Sequence, residues 1–408
     1  MSAIITDQLR ILNAKNFVSA ATSSINSYYS FVGLPNATDY SPTWDVTPPA
    51  PKDSFDQEDD YWDTMIALKK ISASDVRQVV RKITWASGTT YDMYRHDISR
   101  TNTSKPSGAT SLYSANYYVV NEDYRVYICL QNGTDPENPK GRPSYDEPTF
   151  IDLEPRVAGT SGDGYIWKYL FTVSPADIIK FDSTEYITLP NNWNTSTDSQ
   201  IVAVRENGDS SVNNNQIKTV YIDSEGSNYT SGEVDILGNG TGGRVFVQTN
   251  ANGEITNTTV TSGGSGYTYG IVDLGPLQPG STISNPAKLI PIIPPSRGHG
   301  FDLYKELGAD RVMIYARFDD STRDFPTNTK FCQIGILKNP TTFISTETFS
   351  GGEFSGLYAI KFDSVNSFLP EIGEKINQTV STGIAVGYVA SYDSDTKVLK
   401  YFKDRSLY

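Results

Sequence analysis

Apolar and polar positions alternate along much of the chain with the period of two that is typical of β-strands. The alternation is clearest over residues 116–121, 125–130 and 185–189, which are rich in tyrosine, valine and isoleucine. Residues 165–173 are largely apolar on both faces, which predicts a strand at the centre of a sheet. A tight turn at residues 121–123 is predicted to join the first two strands into a hairpin.

The last third of the chain continues this pattern. Residues 311–318 and 330–337 predict two further strands, and residues 367–403 predict a small terminal β unit. A short helix at residues 302–307, stopped by Gly308, is predicted to precede them.

Helix is predicted in a few other short segments. Residues 59–68 place Trp62, Met65 and Ile66 on one helical face after an acidic start. The segment from Ser72 to Asp75 has the spacing of a capping box, and it precedes valines that predict a second helix ending near residue 84. Two weaker signals complete the set: a strand or short helix at the start of the chain, and one helical turn from Ser174 with Pro175 in its first position.

Two segments contain too many prolines for a continuous helix or a central strand. They are residues 30–55, preceded by Tyr28 and Tyr29, and residues 131–160. We expect both to form extended arms that lie over neighbouring proteins and become ordered only in an assembly.

Residues 216–280 contain an internal repeat. The sequence at residues 226–230 recurs 38 residues later at 264–268, and each copy precedes a short apolar strand, at 234–237 and at 271–274. We therefore expect an inserted β module built from two similar halves.

These patterns predict a mainly β protein: a β-sandwich core with a few short helices, the inserted β-repeat module and a small C-terminal β unit. The predicted domains are residues 1–205 and 286–345 for the two parts of the core, 206–285 for the module and 346–408 for the terminal unit. The 26 tyrosines, 32 glycines and 22 prolines fit a sheet protein with many turns.

The net charge of −13 argues against nucleic acid as a partner, because such surfaces need clustered lysine and arginine. No apolar run is long enough to predict insertion into a membrane, and the first residues lack the order of a signal peptide, so we expect synthesis in the cytoplasm. Cys129 and Cys332 lie in apolar stretches and predict buried free thiols, with a disulfide between them as the less favoured alternative.

The sequence offers little catalytic chemistry. His96 and His299 are the only histidines, and each is interpreted as a loop residue. The glycine pattern at residues 238–243 is followed by a strand, so it predicts a hairpin turn and not a dinucleotide site. The acidic residues at 53–63 are interpreted as charges at a helix start in preference to calcium ligands. We predict no enzymatic activity, cofactor or metal, although carboxylates with many aromatic residues leave a sugar-binding or glycosidase function as an alternative.

Residues 162–171 resemble a strand of the dimeric baseplate wedge subunit of T-even-type contractile-tailed phages. The resemblance is carried by one motif: Gly162, Asp163, Gly164, Tyr165, Trp167 and Tyr169. Shorter matching segments occur in the same order at residues 61–65, 81–94, 126–130, 184–187 and 331–340. Together they cover about residues 55–195 and 290–340.

The resemblance implies a β-sandwich structural protein of the virion that forms homodimers and joins other wedge subunits in the tail baseplate. Its role would lie in baseplate assembly, host attachment and tail contraction. The module at 216–280 and the unit from about 346 depart from the family, which suggests a cyanophage-like version with extra β modules. A carbohydrate-binding or polysaccharide-degrading tail protein is the alternative.

Overall fold

Strands dominate the fold. The computed structural model describes residues 5–33, 65–135, 137–209, 215–278, 280, 285–318, 333–342, 345–351, 353–364 and 369–403. Strands make up 36% of the described residues and helices 13%, which confirms the predicted mainly β fold. The chain divides into two compact units, the first formed by residues 1–15 and 77–313 and the second by residues 16–76 and 314–408. The four domain boundaries predicted from the sequence stay a prediction.

The described ranges contain four α-helices: α1 Asp7–Thr22, α2 Pro175–Phe181, α3 Ser199–Asp209 and α4 Leu303–Leu307. The helix α1 is longer than the predicted strand or short helix. The Ser174 hydroxyl accepts a 3.1 Å hydrogen bond from the Asp177 amide at the start of α2, which extends beyond the predicted single turn. Gly308 ends α4 at a φ of 73°, as predicted. None of the helices in these ranges is long and apolar enough to cross a membrane.

Twenty strands in the described ranges form six small sheets. In the first half of the chain they are β1 Tyr28–Gly33, β2 Met65–Lys70, β3 Val76–Arg81, β4 Tyr118–Val120, β5 Arg125–Asn132, β6 Tyr165–Thr172 and β7 Tyr186–Thr188. The middle strands are β8 Val220–Ser224, β9 Gly232–Gly238, β10 Thr241–Thr249, β11 Ile255–Ser265, β12 Gly270–Val272, β13 Lys288–Pro291 and β14 Arg311–Ile314. The last are β15 Gln333–Lys338, β16 Glu353–Ser355, β17 Tyr358–Lys361, β18 Lys375–Val380, β19 Gly383–Asp393 and β20 Val398–Lys403.

The core of the first unit surrounds the sheet β4-β5-β6. β4 and β5 form the predicted hairpin, with Tyr118 opposite Ile128. β6 is an outer strand and not the central one that its apolar sequence predicted. Most of its residues are nevertheless buried on both faces, and its outer edge is covered where Trp167 forms an isolated bridge to Arg156 in the segment before β6.

Tyrosines fill this core and bond its backbone. The hydroxyl groups of Tyr117, Tyr118 and Tyr127 donate to main-chain carbonyl oxygens at 2.5, 2.9 and 2.7 Å. Each ring therefore buries a large apolar surface while its polar tip is satisfied. Two more sheets belong to this unit, β14-β3-β7 and the pair β13-β8.

The predicted β module is a four-stranded sheet in the order β11-β10-β9-β12. The glycines at residues 238–243 lie at the hairpin between β9 and β10, as predicted. Val234, Ile236, Val245 and Val247 are buried on one face. The alternation of buried and exposed positions along β9 and β10 explains why these strands were recognisable.

The repeated sequence in the module has a structural cause. Gly226 and Gly264 adopt φ angles of 59° and 60°, and the equivalent Asn228 and Gly266 adopt 66° and 77°. Both copies therefore make the same left-handed corner. The corner turns the repeated tyrosine, Tyr229 in the first copy and Tyr267 in the second, into the core of the module.

In the second unit, the sheet β15-β1-β2-β16 shows that the helix predicted at residues 59–68 is wrong over its last residues. Met65–Lys70 is a strand and not part of a helix, while residues 59–64 lie outside the described residues. Four consecutive residues, Met65–Leu68, are buried, so both faces of the strand are covered and its apolar run resembles a helix face.

The start of the predicted first arm is also a strand of this sheet. β1 lies between β15 and β2, with every residue buried. The Tyr29 hydroxyl bonds to the carbonyl oxygens of Phe349 and Gly351 at 3.0 and 2.7 Å. Residues 34–55 of the predicted arm lie outside the described residues.

The predicted capping box precedes a strand instead of a helix. The Asp75 carboxylate accepts from the Ser72 amide at 3.1 Å and closes a turn. Val76, Val79 and Val80 then lie buried in β3, where their β-branched side chains suit a sheet.

The terminal β unit is a four-stranded antiparallel sheet in the order β17-β20-β19-β18. Its strands β19 and β20 turn at Asp393, close to the predicted position. The predicted strands at 311–318 and 330–337 are present as β14 and β15, although β14 ends at Ile314 and residues 330–332 lie outside the described residues.

Candidate functional site

The motif that carries the family resemblance begins with a tight glycine turn. Gly162 and Gly164 adopt φ angles of 73° and 82°. A side chain on Gly164 would lie 2.7 Å from the Cα atom of Gly133, and the Gly133 amide donates to the Gly164 carbonyl oxygen at 3.1 Å. Only glycine fits this close approach of two backbones.

Asp163 lies between these glycines and is buried. One carboxylate oxygen accepts the Tyr145 amide at 2.9 Å and the other accepts the Tyr165 amide at 3.0 Å. A carboxylate with two backbone donors makes strong hydrogen bonds. Asp163 therefore connects the proline-rich segment before it to the strand β6 after it.

The aromatic residues of the motif form part of the core. The rings of Tyr165 and Trp167 stack with centroids 5.3 Å apart, and Tyr91 meets both edge-on. The Tyr165 hydroxyl donates to the Arg142 carbonyl oxygen at 2.8 Å and accepts from the Tyr91 amide at 2.9 Å. Burial raises the pKa of Tyr165 far above its ordinary value, so the hydroxyl stays protonated.

Tyr169 extends the aromatic contacts further along β6. Its ring meets Tyr127 edge-on at 5.8 Å, and its hydroxyl bonds to Thr172 at 2.8 Å. All six residues of the predicted motif are thus placed in one turn and one strand. Their chemical role here is to pack and to hydrogen-bond.

Lys168 belongs to the same strand, and the sequence did not single it out. Its side chain is only 2% exposed, and its amine donates to the Leu153 carbonyl oxygen at 2.6 Å. Burial lowers its pKa to about 8, and this effect outweighs the attraction of Glu154. A lysine inside an aromatic strand was the signal that could have revealed it.

The proline-rich segment at residues 131–160 is irregular, as predicted, but it is bound to its own chain and does not form a free arm. The Tyr145 amide donates to Asp163, and the carbonyl oxygens of Phe150 and Leu153 accept from Tyr127 and Lys168. Two more bonds join it to the β4–β5 hairpin: Asn121 donates to the Pro148 carbonyl oxygen at 3.0 Å, and Arg125 donates to the carbonyl oxygen of Thr149.

The buried carboxylates of the first unit have similar roles. Asp92 accepts the Asn116 amide at 2.7 Å, and Asp177 accepts Arg77 at 2.9 Å. Glu306 accepts the Gly300 amide at 2.7 Å. Together with Asp163, these carboxylates bind donors of their own chain instead of facing an open cleft.

Both histidines also form hydrogen bonds to groups of their own chain. The Nδ1 atom of His299 lies 2.6 Å from Glu306, and its ring packs edge-on against Tyr94. His299 lies in a turn, as interpreted from the sequence, and its side chain is buried in the core, which the sequence did not indicate. The Nδ1 atom of His96 accepts the Ile293 amide at 3.2 Å, and burial lowers the pKa of His96.

A cavity of about 120 Å³ lies beside α1 and β3. Its arginines bond to neighbouring groups of the chain: Arg81 donates to the carbonyl oxygens of Tyr113 and Ala115 at 3.2 and 2.9 Å, and Arg311 donates to the Tyr186 hydroxyl. In the part of the chain that the structure describes, no group of three or more His, Cys, Asp or Glu residues could hold a metal ion. Cys129 is a buried free thiol whose pKa is raised by burial, and Cys332 lies outside that part.

Comparison with known proteins gives one family match. Residues 3–152 match the family described as Phage-Gp8, Bacteriophage T4 Gp8. This match supports a structural role in a T4-type baseplate wedge. A search of curated proteins finds no match to the chain. The matched region ends ten residues before Gly162, so the resemblance of the 162–169 motif stays a prediction.

Proposed function

We propose that this chain is a structural subunit of a phage tail baseplate wedge that forms homodimers and bridges other wedge subunits. It would act during baseplate assembly, host attachment and tail contraction, and it would be found in the virion after synthesis in the host cytoplasm. The observation that carries the proposal is the family match over residues 3–152.

The interior of the first unit supports this proposal. The buried carboxylates Asp92, Asp163, Asp177 and Glu306 hold loops of the same chain in place. Catalytic carboxylates usually need a free face toward a substrate. A rigid scaffold whose loops are fixed by internal hydrogen bonds suits a subunit that must keep its shape under mechanical load.

The proposal is tested by reconstitution. We would mix the purified chain with the other wedge proteins of the same phage and analyse the mixture by size-exclusion chromatography with light scattering. The chain alone should elute as a dimer, and it should enter a larger complex when the partners are added. A chain that stays monomeric and joins no complex would contradict the proposal.

A further inference from the structure

Four asparagine–glycine pairs occur in the sequence, and the fold holds each of them differently. A glycine follows Asn132, Asn207, Asn239 and Asn252. The main-chain nitrogen of the glycine in such a pair can attack the side-chain carbonyl carbon of the asparagine, because glycine has no side chain to hinder the approach. The attack needs a carboxamide that is free to turn toward that nitrogen. Hydrogen bonds and burial therefore decide which pair reacts in the folded chain.

Two of the pairs are held inside the core or inside a helix. Asn132 is 1% exposed, and its carboxamide donates to the Tyr91 carbonyl oxygen at 2.9 Å. Asn207 lies in α3, where helical hydrogen bonds fix the main chain, and its carboxamide donates to Glu154 at 3.3 Å. Attack on either carboxamide would require the core or the helix to open first.

The third pair is at the surface, but its carboxamide is bound at both ends. The Nδ2 atom of Asn239 donates to the Thr268 hydroxyl at 2.9 Å. Its Oδ1 atom accepts the amides of Thr268 and Tyr269 at 3.0 and 3.3 Å. These bonds hold the carboxamide of Asn239, and they must break before it can turn toward the Gly240 nitrogen.

The side chain of Asn252 has none of these restraints. Asn252 is exposed in the turn between β10 and β11, and its carboxamide has no hydrogen-bond partner among the residues that the structure describes. The Gly253 nitrogen donates to the Asn250 carbonyl oxygen at 3.0 Å, which closes the turn. A single main-chain bond in an exposed turn opens far more readily than a helix or a core. The reacting groups of Asn252 and Gly253 therefore meet most easily.

We propose that Asn252 is a site of spontaneous modification, at which the folded chain converts asparagine to aspartate and isoaspartate. The Gly253 nitrogen loses its proton to hydroxide and forms a bond to the Cγ atom of Asn252. The bond from Cγ to Nδ2 breaks, and ammonia leaves with a proton from water. Water then opens the resulting succinimide ring at either of its carbonyl carbons, which yields aspartate or isoaspartate.

The modification would affect the module, because the main chain of this turn supports the repeat. The carbonyl oxygens of Asn252 and Gly253 accept the amides of Asn228 and Tyr229 at 3.3 and 2.9 Å. These amides belong to the left-handed corner that turns Tyr229 into the core of the module. An isoaspartate routes the main chain through the Cβ and Cγ atoms and converts the Asn252 carbonyl group into a free carboxylate. Both acceptors are then displaced, so we expect the corner to loosen.

The experiment follows the unsubstituted full chain during incubation at mildly alkaline pH. Peptide mass spectrometry measures, at each of the four asparagines, the mass increase that results when NH2 is replaced by OH. Asn252 should be converted about tenfold or more faster than Asn239 in the folded chain. In urea all four pairs should react at similar rates, because unfolding removes the bonds that distinguish them.

Two matched variants assign the reaction to its site. Asn252→Gln should remove most of the conversion in the folded chain, because glutamine forms a larger ring slowly, whereas Asn239→Gln should leave most of it in place. Conversion of Asn239 at the same rate as Asn252 in the folded chain would overturn the proposal. An Asn252 that stays intact in the folded chain while it reacts in urea would overturn it as well.

Hydrogen exchange tests the effect on the module. In the chain with isoaspartate at position 252, the amides of Asn228 and Tyr229 should exchange about tenfold or more faster than in the fresh chain. Asn252→Asp is the control, because it carries the other product with a normal main chain, and it should exchange at these amides like the fresh chain. Unchanged exchange in the isoaspartate chain would overturn the proposed effect on the module.

Discussion

The side-chain amine of Lys168 lies 2.6 Å from the carbonyl oxygen of Leu153, and this hydrogen bond fastens the proline-rich segment to β6. The lysine is buried beside a strand of aromatic residues, where a charge is costly. A hydrogen bond to a backbone carbonyl partly offsets that cost. Because burial lowers the pKa of Lys168, the stability of the protein should depend on pH.

We expect the stability of the protein to rise between pH 8 and 9.5 because of Lys168. Its pKa is lowered to about 8 from 10.5, so the unfolded chain binds more protons than the folded chain in this interval. The free energy of unfolding therefore increases with pH, by about 1–2 kcal/mol relative to a Lys168→Met variant. Below about pH 7 the lysine is protonated in both states, and the difference between the proteins should become constant.

Guanidinium denaturation of both proteins at several pH values measures this difference. Lys140→Met, at an exposed lysine, is the control and should follow the unsubstituted protein. Parallel curves for the unsubstituted protein and Lys168→Met would show that the pKa of Lys168 is not lowered.

Asp163 should protect the proline-rich segment from proteases. In Asp163→Ala the amides of Tyr145 and Tyr165 lose their acceptor, which costs about 1–3 kcal/mol for a buried group. Trypsin cleavage after Lys140, which precedes Gly141, should then become about tenfold faster or more, because local opening is easier. Asp146→Ala, which removes a solvent-facing bond to the Ser161 amide, should have a smaller effect. Rapid cleavage of the unsubstituted protein at this site would mean that the segment is free in the isolated chain.

The two glycines of the 162–164 turn should differ in their tolerance of alanine. Gly162→Ala should cost about 1–2 kcal/mol of unfolding free energy, because its φ is positive but the space around it is open. Gly164→Ala should cost more, about 3 kcal/mol or above, because its new methyl group would also collide with the Gly133 backbone. Thermal unfolding of the two variants checks the order, and equal losses would contradict the close contact.

The repeated tyrosines of the module should contribute unequally. The Tyr267 hydroxyl donates to the Ile236 carbonyl oxygen at 2.8 Å and accepts the Gly243 amide at 3.0 Å, both buried. Within the described residues, the Tyr229 hydroxyl has one bond, from the Ala287 amide at 3.0 Å. Tyr267→Phe should therefore lose about 2–3 kcal/mol of unfolding free energy, and Tyr229→Phe about 1 kcal/mol. Denaturant unfolding measures both, and the reverse order would refute this account of the repeat.

The sequence predicted the elements whose signals are local. The alternation along β9 and β10, the turn before Arg125 and the stop at Gly308 depend on neighbouring residues and were placed correctly. The repeat at Gly226 and Gly264 was also found, because both corners need the same left-handed backbone.

The failures arose where distant contacts decide the structure. Met65–Lys70 resembles a helix face because both of its faces are buried by other strands, which no local pattern can reveal. The buried pair of His299 and Glu306 joins a loop to a helix. The proline-rich segment at 131–160 was predicted to be an arm because prolines exclude regular structure. They do not exclude bonds to the core such as those from Tyr127 and Lys168.

The central claim is that this chain is a baseplate wedge subunit, and the most direct test is quantitative mass spectrometry of purified virions and of baseplates isolated from them. The proposal predicts that the chain is present in intact virions, is enriched in the baseplate fraction and occurs at a fixed ratio to the other wedge proteins. Its absence from purified virions, or its confinement to fractions without baseplates, would contradict the claim.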